Sequence, residues 1–139
     1  MHDCEYNIQL NKGKLYEDAI VANDKGVFKE VRFRIDTGAD QTVISENSMK
    51  AAGFVKGRGQ FMVEGHKSFM IASGEFIQLP CVKLKRIIVF GHSLYEWEVV
   101  VGSHNVNLLG MDVLVYFDMN VSQSHKKLFV KMAKNKQIN

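Results

Sequence analysis

Hydrophobic and polar positions alternate with a period of two over much of this chain. Within residues 27–35, Val31, Phe33 and Ile35 alternate with Glu30, Arg32 and Arg34, the signature of a half-buried strand. Tyr16 to Ala22 carries a moderate signal of the same kind. The cluster Asn23-Asp24-Lys25-Gly26 between them is a turn, so 16–35 reads as a hairpin. Gln41–Ser45 follows as a short strand. Ser45 is suited to cap a brief helix over Glu46–Ala52, and Gly53 to stop it.

Further along, two apolar arms within Ser68–Leu79 flank Ala72-Ser73-Gly74, a hairpin with a small tip. Pro80, the only proline, marks an edge or a strand boundary. Val82–Phe90 and Leu94–Val101 predict two strands joined around Gly91-His92-Ser93. Val106–Leu114 reads as a short buried strand that breaks at Gly110 into a helical turn. Tyr116–Val121 and Leu128–Met132 are the last strand signals, and residues 1–14 are polar without a clear pattern. The expected fold is mostly β with one or two short helices, in a single domain over 1–139 whose core runs from about 16 to 132.

Composition removes several functions. The 139 residues are 46% hydrophobic and 24% charged, so a packed core is expected and disorder is not. A net charge of +3, with no basic run interleaved with aromatics, gives no reason to expect nucleic acid. The lysines of the end (Lys126, Lys127, Lys131, Lys134, Lys136) read as a solvated tail, with a weak contact to an anionic surface the alternative. No membrane-length apolar run or secretory leader is visible, and two cysteines, Cys4 and Cys81, fit free thiols in a reducing cytosol. The starting Met points to a separate reading frame, with excision from a larger precursor the alternative. Gly57-Arg58-Gly59 lacks the lysine–serine/threonine pair of a phosphate loop and reads as a turn.

The chemistry narrows by elimination. His2, His66, His92, His104 and His125 are scattered and no CxxC occurs, so neither a metal nor another cofactor is expected. Cys81 has apolar neighbours, and no G-x-S-x-G elbow is present. What remains is Asp36, at the point where the strand 27–35 ends in a turn. Gly38 there can take backbone angles closed to other residues and let a substrate approach the main chain. A lone aspartate, with a reference pKa of ~3.9, is a poor acid or base at neutral pH. Two such carboxylates in contact hold one shared proton, and can then activate water and protonate a carbonyl. The chain has no second D-T-G, so a second copy has to supply the partner.

The segment from Phe33 to Ile44, F-R-I-D-T-G-A-D-Q-T-V-I, resembles the active-site signature of retropepsin-like aspartic proteases. Asn107-Leu108-Leu109-Gly110-Met111-Asp112-Val113-Leu114 resembles the second half of that signature, and Ile71-Ala72-Ser73-Gly74-Glu75 stands where the family keeps its flap tip. With its longer chain and single flap glycine, the pattern is closer to bacterial and cellular members than to the retroviral ones. The resemblance implies a closed β-barrel-like half and a homodimeric endopeptidase acting on peptide or protein substrates, without nucleic acid or membrane. Each copy would contribute Asp36 as the catalytic residue. Thr37 would bond across the two-fold axis, Gly38, Ala39 and Asp40 would meet substrate, and Ile71, Ala72, Ser73 and Gly74 would close over it. Thr37, Gly38, Asp40, Leu109 and Gly110 would support the loop. The competing expectation is a catalytically silent relative that binds peptide or serves assembly. A protease module cut from a polyprotein is a third.

Overall fold

A computed structural model describes residues 4–7, 9–11, 14–23, 25–53, 55–56, 60–61, 65–70, 73–102, 105–122, 124–125 and 127–132. Among them β1 (Cys4–Asn7), β2 (Gln9–Asn11), β3 (Lys14–Ala22) and β4 (Phe28–Ile35) lead to β5 (Val43–Ser45) and α1 (Glu46–Ala51). Then come β6 (Val55–Lys56), β7 (Gln60–Phe61), β8 (Gly65–Met70), β9 (Phe76–Val89) and β10 (His92–Gly102). The end holds β11 (Leu108–Leu109), α2 (Met111–Leu114), β12 (Phe117–Ser122) and β13 (Lys127–Met132). Neither helix is long and apolar enough to cross a membrane.

The main sheet runs β2-β3-β4-β11-β5-β10-β9-β8, and β3 also pairs with β9. That extra ladder, Ile20 to Ala22 against Ile88 to Arg86, closes β3, β4, β11, β5, β10 and β9 into a barrel. Closure pairs the edges that an open sheet would leave exposed. Phe33, Ile44, Leu84, Leu94 and Leu109 are almost wholly removed from water inside it, each contributing about 1.5–3 kcal/mol of hydrophobic stabilisation. A separate sheet, β1-β13-β12, joins the two ends of the chain.

Local signals became local structure. Asn23 Oδ1 accepts from the backbone N–H of Lys25 (2.9 Å) and Val27 (3.0 Å), shaping the β3–β4 turn. Its amide also donates to the carbonyl of Gly53 (3.3 Å), which ties that turn to the end of α1. Ser45 caps α1 by accepting from Ser48 N–H at 3.1 Å. Gly53 ends it in the left-handed region with φ +77°, a conformation that suits glycine.

Three expectations need correction. Pro80 is no boundary, because β9 runs unbroken through it from Phe76 to Val89. Pro80 faces His66 of β8 and lies one residue beyond the last β10 pair, Cys81 with Val100, so no ladder bond is lost on that side. The turn of the β9–β10 hairpin is Phe90-Gly91, with φ of 51° and 77°, and His92 and Ser93 already belong to β10. The polar start of the chain contains two strands, β1 and β2. Gly57-Arg58-Gly59, Ser103-His104, Ile71 and Ala72 lie outside the described residues.

One carboxylate sits awkwardly. Glu17 shares the face of β3 that carries fully buried Ala19 and Val21. Burial first, and then the charge of Asp18, push its carboxyl from an ordinary 4.5 up to about 7. The folded chain therefore binds the extra proton more tightly than the unfolded one. This contribution to stability is complete below pH 4.5 and is lost as the pH rises through about 7. Thermal unfolding of Glu17→Gln against the parent should show little difference at pH 4 and a higher melting temperature for the variant at pH 8. Equal melting temperatures at both values would contradict this.

Candidate active site

Asp36 follows the last residue of β4, and β11 holds the place where it leaves the sheet. β11 lies between β4 and β5, parallel to the first and antiparallel to the second. The Arg34 N–H donates to the Asn107 carbonyl (2.8 Å) and the Asp36 N–H to that of Leu109 (3.1 Å). The turn closes with Ala39 N–H on the Asp36 carbonyl at 3.2 Å. Behind the loop, the N–H groups of Met111 and Asp112 donate to the carbonyls of Ala39 (2.7 Å) and Asp40 (3.1 Å). The loop is thus bonded on its inner side and open on its outer side, where Thr37, Gly38 and Asp40 are exposed.

Gly110 makes this possible. A Cβ there would lie 2.5 Å from the carbonyl carbon and 2.6 Å from the carbonyl oxygen of Gln41, and 2.9 Å from the carbonyl oxygen of Ala39. All three are backbone atoms, so no side chain can swing aside. Gly38 serves the loop in a different way from the one expected. Its φ is not among the left-handed ones. Its N–H instead donates to Asp36 Oδ1 at 2.9 Å, and a Cβ would stand 3.2 Å from that same oxygen.

Two polar supports were missed in the sequence. The hydroxyl of fully buried Thr42 donates to Asp112 Oδ1 (2.8 Å) and accepts from Gly110 N–H (3.1 Å). Burial raises the Asp112 carboxyl above its ordinary value, opposed by the bonds from Thr42 and from Val113 N–H. Asn107 accepts from Ser45 N–H (2.8 Å) and donates to Ser48 Oγ (3.0 Å) and the Arg32 carbonyl (3.3 Å). Seventy residues separate Thr42 from Asp112, and no short-range pattern marks such a pair.

The other missed residue is Arg34. Its Nη2 donates to Asp36 Oδ2 at 3.2 Å, with the two side chains 26% and 28% exposed. The signal was present, since residues two apart on a strand share a face.

An open groove runs beside the loop. Gly38 to Gln41 and Val43 form one wall, and Lys67 to Met70 of β8 the other. Of the expected substrate contacts, Gly38, Ala39 and Asp40 line it. Ser73 and Gly74 lie in the β8–β9 turn, where Gly74 has φ +87°. Lys67 Nζ is paired with Glu98 Oε1 at 2.9 Å. Cys81, a free thiol, is buried, and burial pushes its pKa up. Among the described residues no three His, Cys, Asp or Glu side chains gather as metal ligands would.

The Thr42 hydroxyl can be tested directly. Thr42→Val removes both of its bonds, leaving the buried Gly110 N–H without its acceptor and the half-buried Asp112 carboxylate short of a donor, which should cost about 1–3 kcal/mol. Thr42→Ser should recover most of that. Chemical denaturation of the three proteins checks it, and a Val variant as stable as the parent would refute it.

Comparison with known proteins agrees with this geometry. The family profile described as "gag-polyprotein putative aspartyl protease" matches residues 26–116. Among solved structures, a retropepsin-like aspartic protease from Rickettsia conorii superposes with a TM-score of 0.67 at 21% identity, covering 93% of this chain and 91% of that one. No curated protein sequence matches. With the family profile spanning well over half of its length, the chain belongs to the retropepsin-like aspartic proteases.

Proposed function

We propose that the protein is an aspartic endopeptidase that works as a homodimer, each copy supplying Asp36 to one shared site. The observation that carries this is the mounting of Asp36. It sits beside a groove, on a loop bonded from behind to β11 and α2, with the outer side exposed. Of the neighbouring carboxylates, Asp112 is engaged by Thr42 and Val113, and Asp40 lies on the exposed side of the loop along the groove. A partner for Asp36 then comes from a second copy.

Across the two-fold axis the two carboxylates hold one proton, because both cannot ionise cheaply side by side. The ionised member takes a proton from water as it attacks the scissile carbonyl. The protonated member gives its proton to the carbonyl oxygen. Thr37, exposed in the single copy, bonds across the axis and fixes the spacing of the two loops. Gly38 to Asp40 align an extended peptide in the groove, and the β8–β9 hairpin closes over it and excludes water. Leu109 and Gly110 hold the loop from behind.

Replacing Asp36 with Asn keeps the size and the Gly38 bond but removes the ionisable group. Asp36→Asn should abolish peptide hydrolysis while the melting temperature stays within a few degrees of the parent. An active variant would refute the assignment. Specific activity of the parent should also fall on dilution through the dimer dissociation constant. Activity independent of concentration, from a protein that sediments as a monomer, would exclude the shared site. If the parent binds intact peptides and releases no product, the silent binding reading takes its place.

A further inference from the structure

We infer that Arg34 is a specificity-determining residue, selecting substrates with an acidic side chain immediately flanking the scissile bond. The inference rests on the proposed protease site. Three observations carry it: the position of Arg34, the partners of its neighbour, and the charge count of a paired site.

Arg32 and Arg34 share one face of β4 with Asp36. Arg32 stands opposite Asp18 in the β3–β4 ladder and is paired with it at 3.3 Å. Arg34 stands opposite Tyr16, which offers no carboxylate. Its ion pair is with Asp36 itself, at 3.2 Å. The guanidinium therefore reaches the group that would act on the scissile carbonyl. Any peptide placed for reaction brings its flanking side chains within reach of it.

In the paired site two Asp36 carboxylates share one proton and carry a single negative charge. Two Arg34 side chains carry two positive charges, because a guanidinium does not deprotonate. Among these four side chains one positive charge is left over, held about three-quarters out of water, while the Asp40 carboxylates stand apart on the exposed side of the loop. A guanidinium has five N–H donors in a planar fork, and the bond to Asp36 uses one nitrogen. A Glu or Asp side chain beside the scissile bond balances the excess charge and accepts the remaining donors. A neutral Gln or Asn side chain can accept but cannot balance.

The test begins with a proteome-derived peptide library digested by the parent. One cleaved sequence is then made in matched forms, with Glu or Gln at the two positions flanking the cut. The parent should favour Glu on the order of tenfold in kcat/KM. Arg34→Gln should bring the ratio to near one, and Arg34→Lys should keep a reduced preference. A parent ratio near one overturns the inference with no variant needed. So does a Glu preference that survives in Arg34→Gln, or a variant that changes every peptide by the same factor. The last result would mean that Arg34 acts on Asp36 alone. If the parent cleaves no library peptide, the protease reading fails and this inference falls with it. Cleavage without acidic preference defeats only the inference.

Discussion

Gly110 packs so closely against the backbone of residues 39–41 that a single added carbon would overlap it. That approach lets β11, only two residues long, enter between β4 and β5 and bond to both. β4 and β5 are the two arms of the loop that carries Asp36. Without an inserted strand, their facing backbone groups would be buried and unpaired, at about 1–3 kcal/mol for each group. The barrel closes through the same strand, since β11 is the link between β4 and β5 in the ring. One glycine contact thus underlies both the closure of the fold and the placement of the site.

A second layer of polar contacts makes this arrangement stiff. Thr42, buried completely, bridges Gly110 and Asp112, while Asn107 joins β4, the end of β5 and the first turn of α1. The Thr42 bonds lie behind the loop, and those of Asn107 tie together the strands that lead into and out of it. Buried polar groups with satisfied partners admit few alternative arrangements, because breaking one exposes a costly unpaired group. The position of Asp36 is consequently set by the interior rather than by solvent-facing contacts. The outer surface of the loop is left exposed, and it is the surface that the proposed function assigns to a substrate and a second copy.

How far the sequence could be read follows from how far apart the interacting residues lie. The β3–β4 turn, the Ser45 cap and the Gly53 stop were legible, because each is decided within a few residues by hydrogen bonding or by φ. The strand leading to Asp36 was legible because its alternation is local. β1 and β2 were not. β1 finds its partner in β13 at the other end of the chain, and its own residues carry no distinctive pattern. Pro80 misled because its rule concerns a missing donor, and the sequence does not reveal that the β10 ladder ends one residue away. Gly38 was singled out correctly for the wrong physical reason. Nearness to its carboxylate, where a Cβ would be tight, rather than a left-handed φ, favours the missing side chain. The Thr42–Asp112 pair was invisible at 70 residues' separation. Arg34 was visible by spacing, but an arginine on the polar side of a strand is ordinarily a solvated one.

The Arg34–Asp36 pair also bears on how the half-site of the proposed dimer tolerates existing alone. In the proposed dimer a second Asp36 shares the proton, whereas in one copy Asp36 is only partly exposed and paired with Arg34. Arg34 supplies a counter-charge beside it at 3.2 Å. Pairs of this kind near the surface are worth about 0–1 kcal/mol, small beside the several kcal/mol that burying an apolar interface supplies. If the proposed dimer forms, assembly can therefore redistribute the pair at little cost. A deeply buried ion pair would have behaved otherwise, since separating it costs about 3–5 kcal/mol. The partial exposure of both side chains keeps the carboxylate ready: held in place by the loop behind it, balanced by Arg34 beside it, and not locked by either.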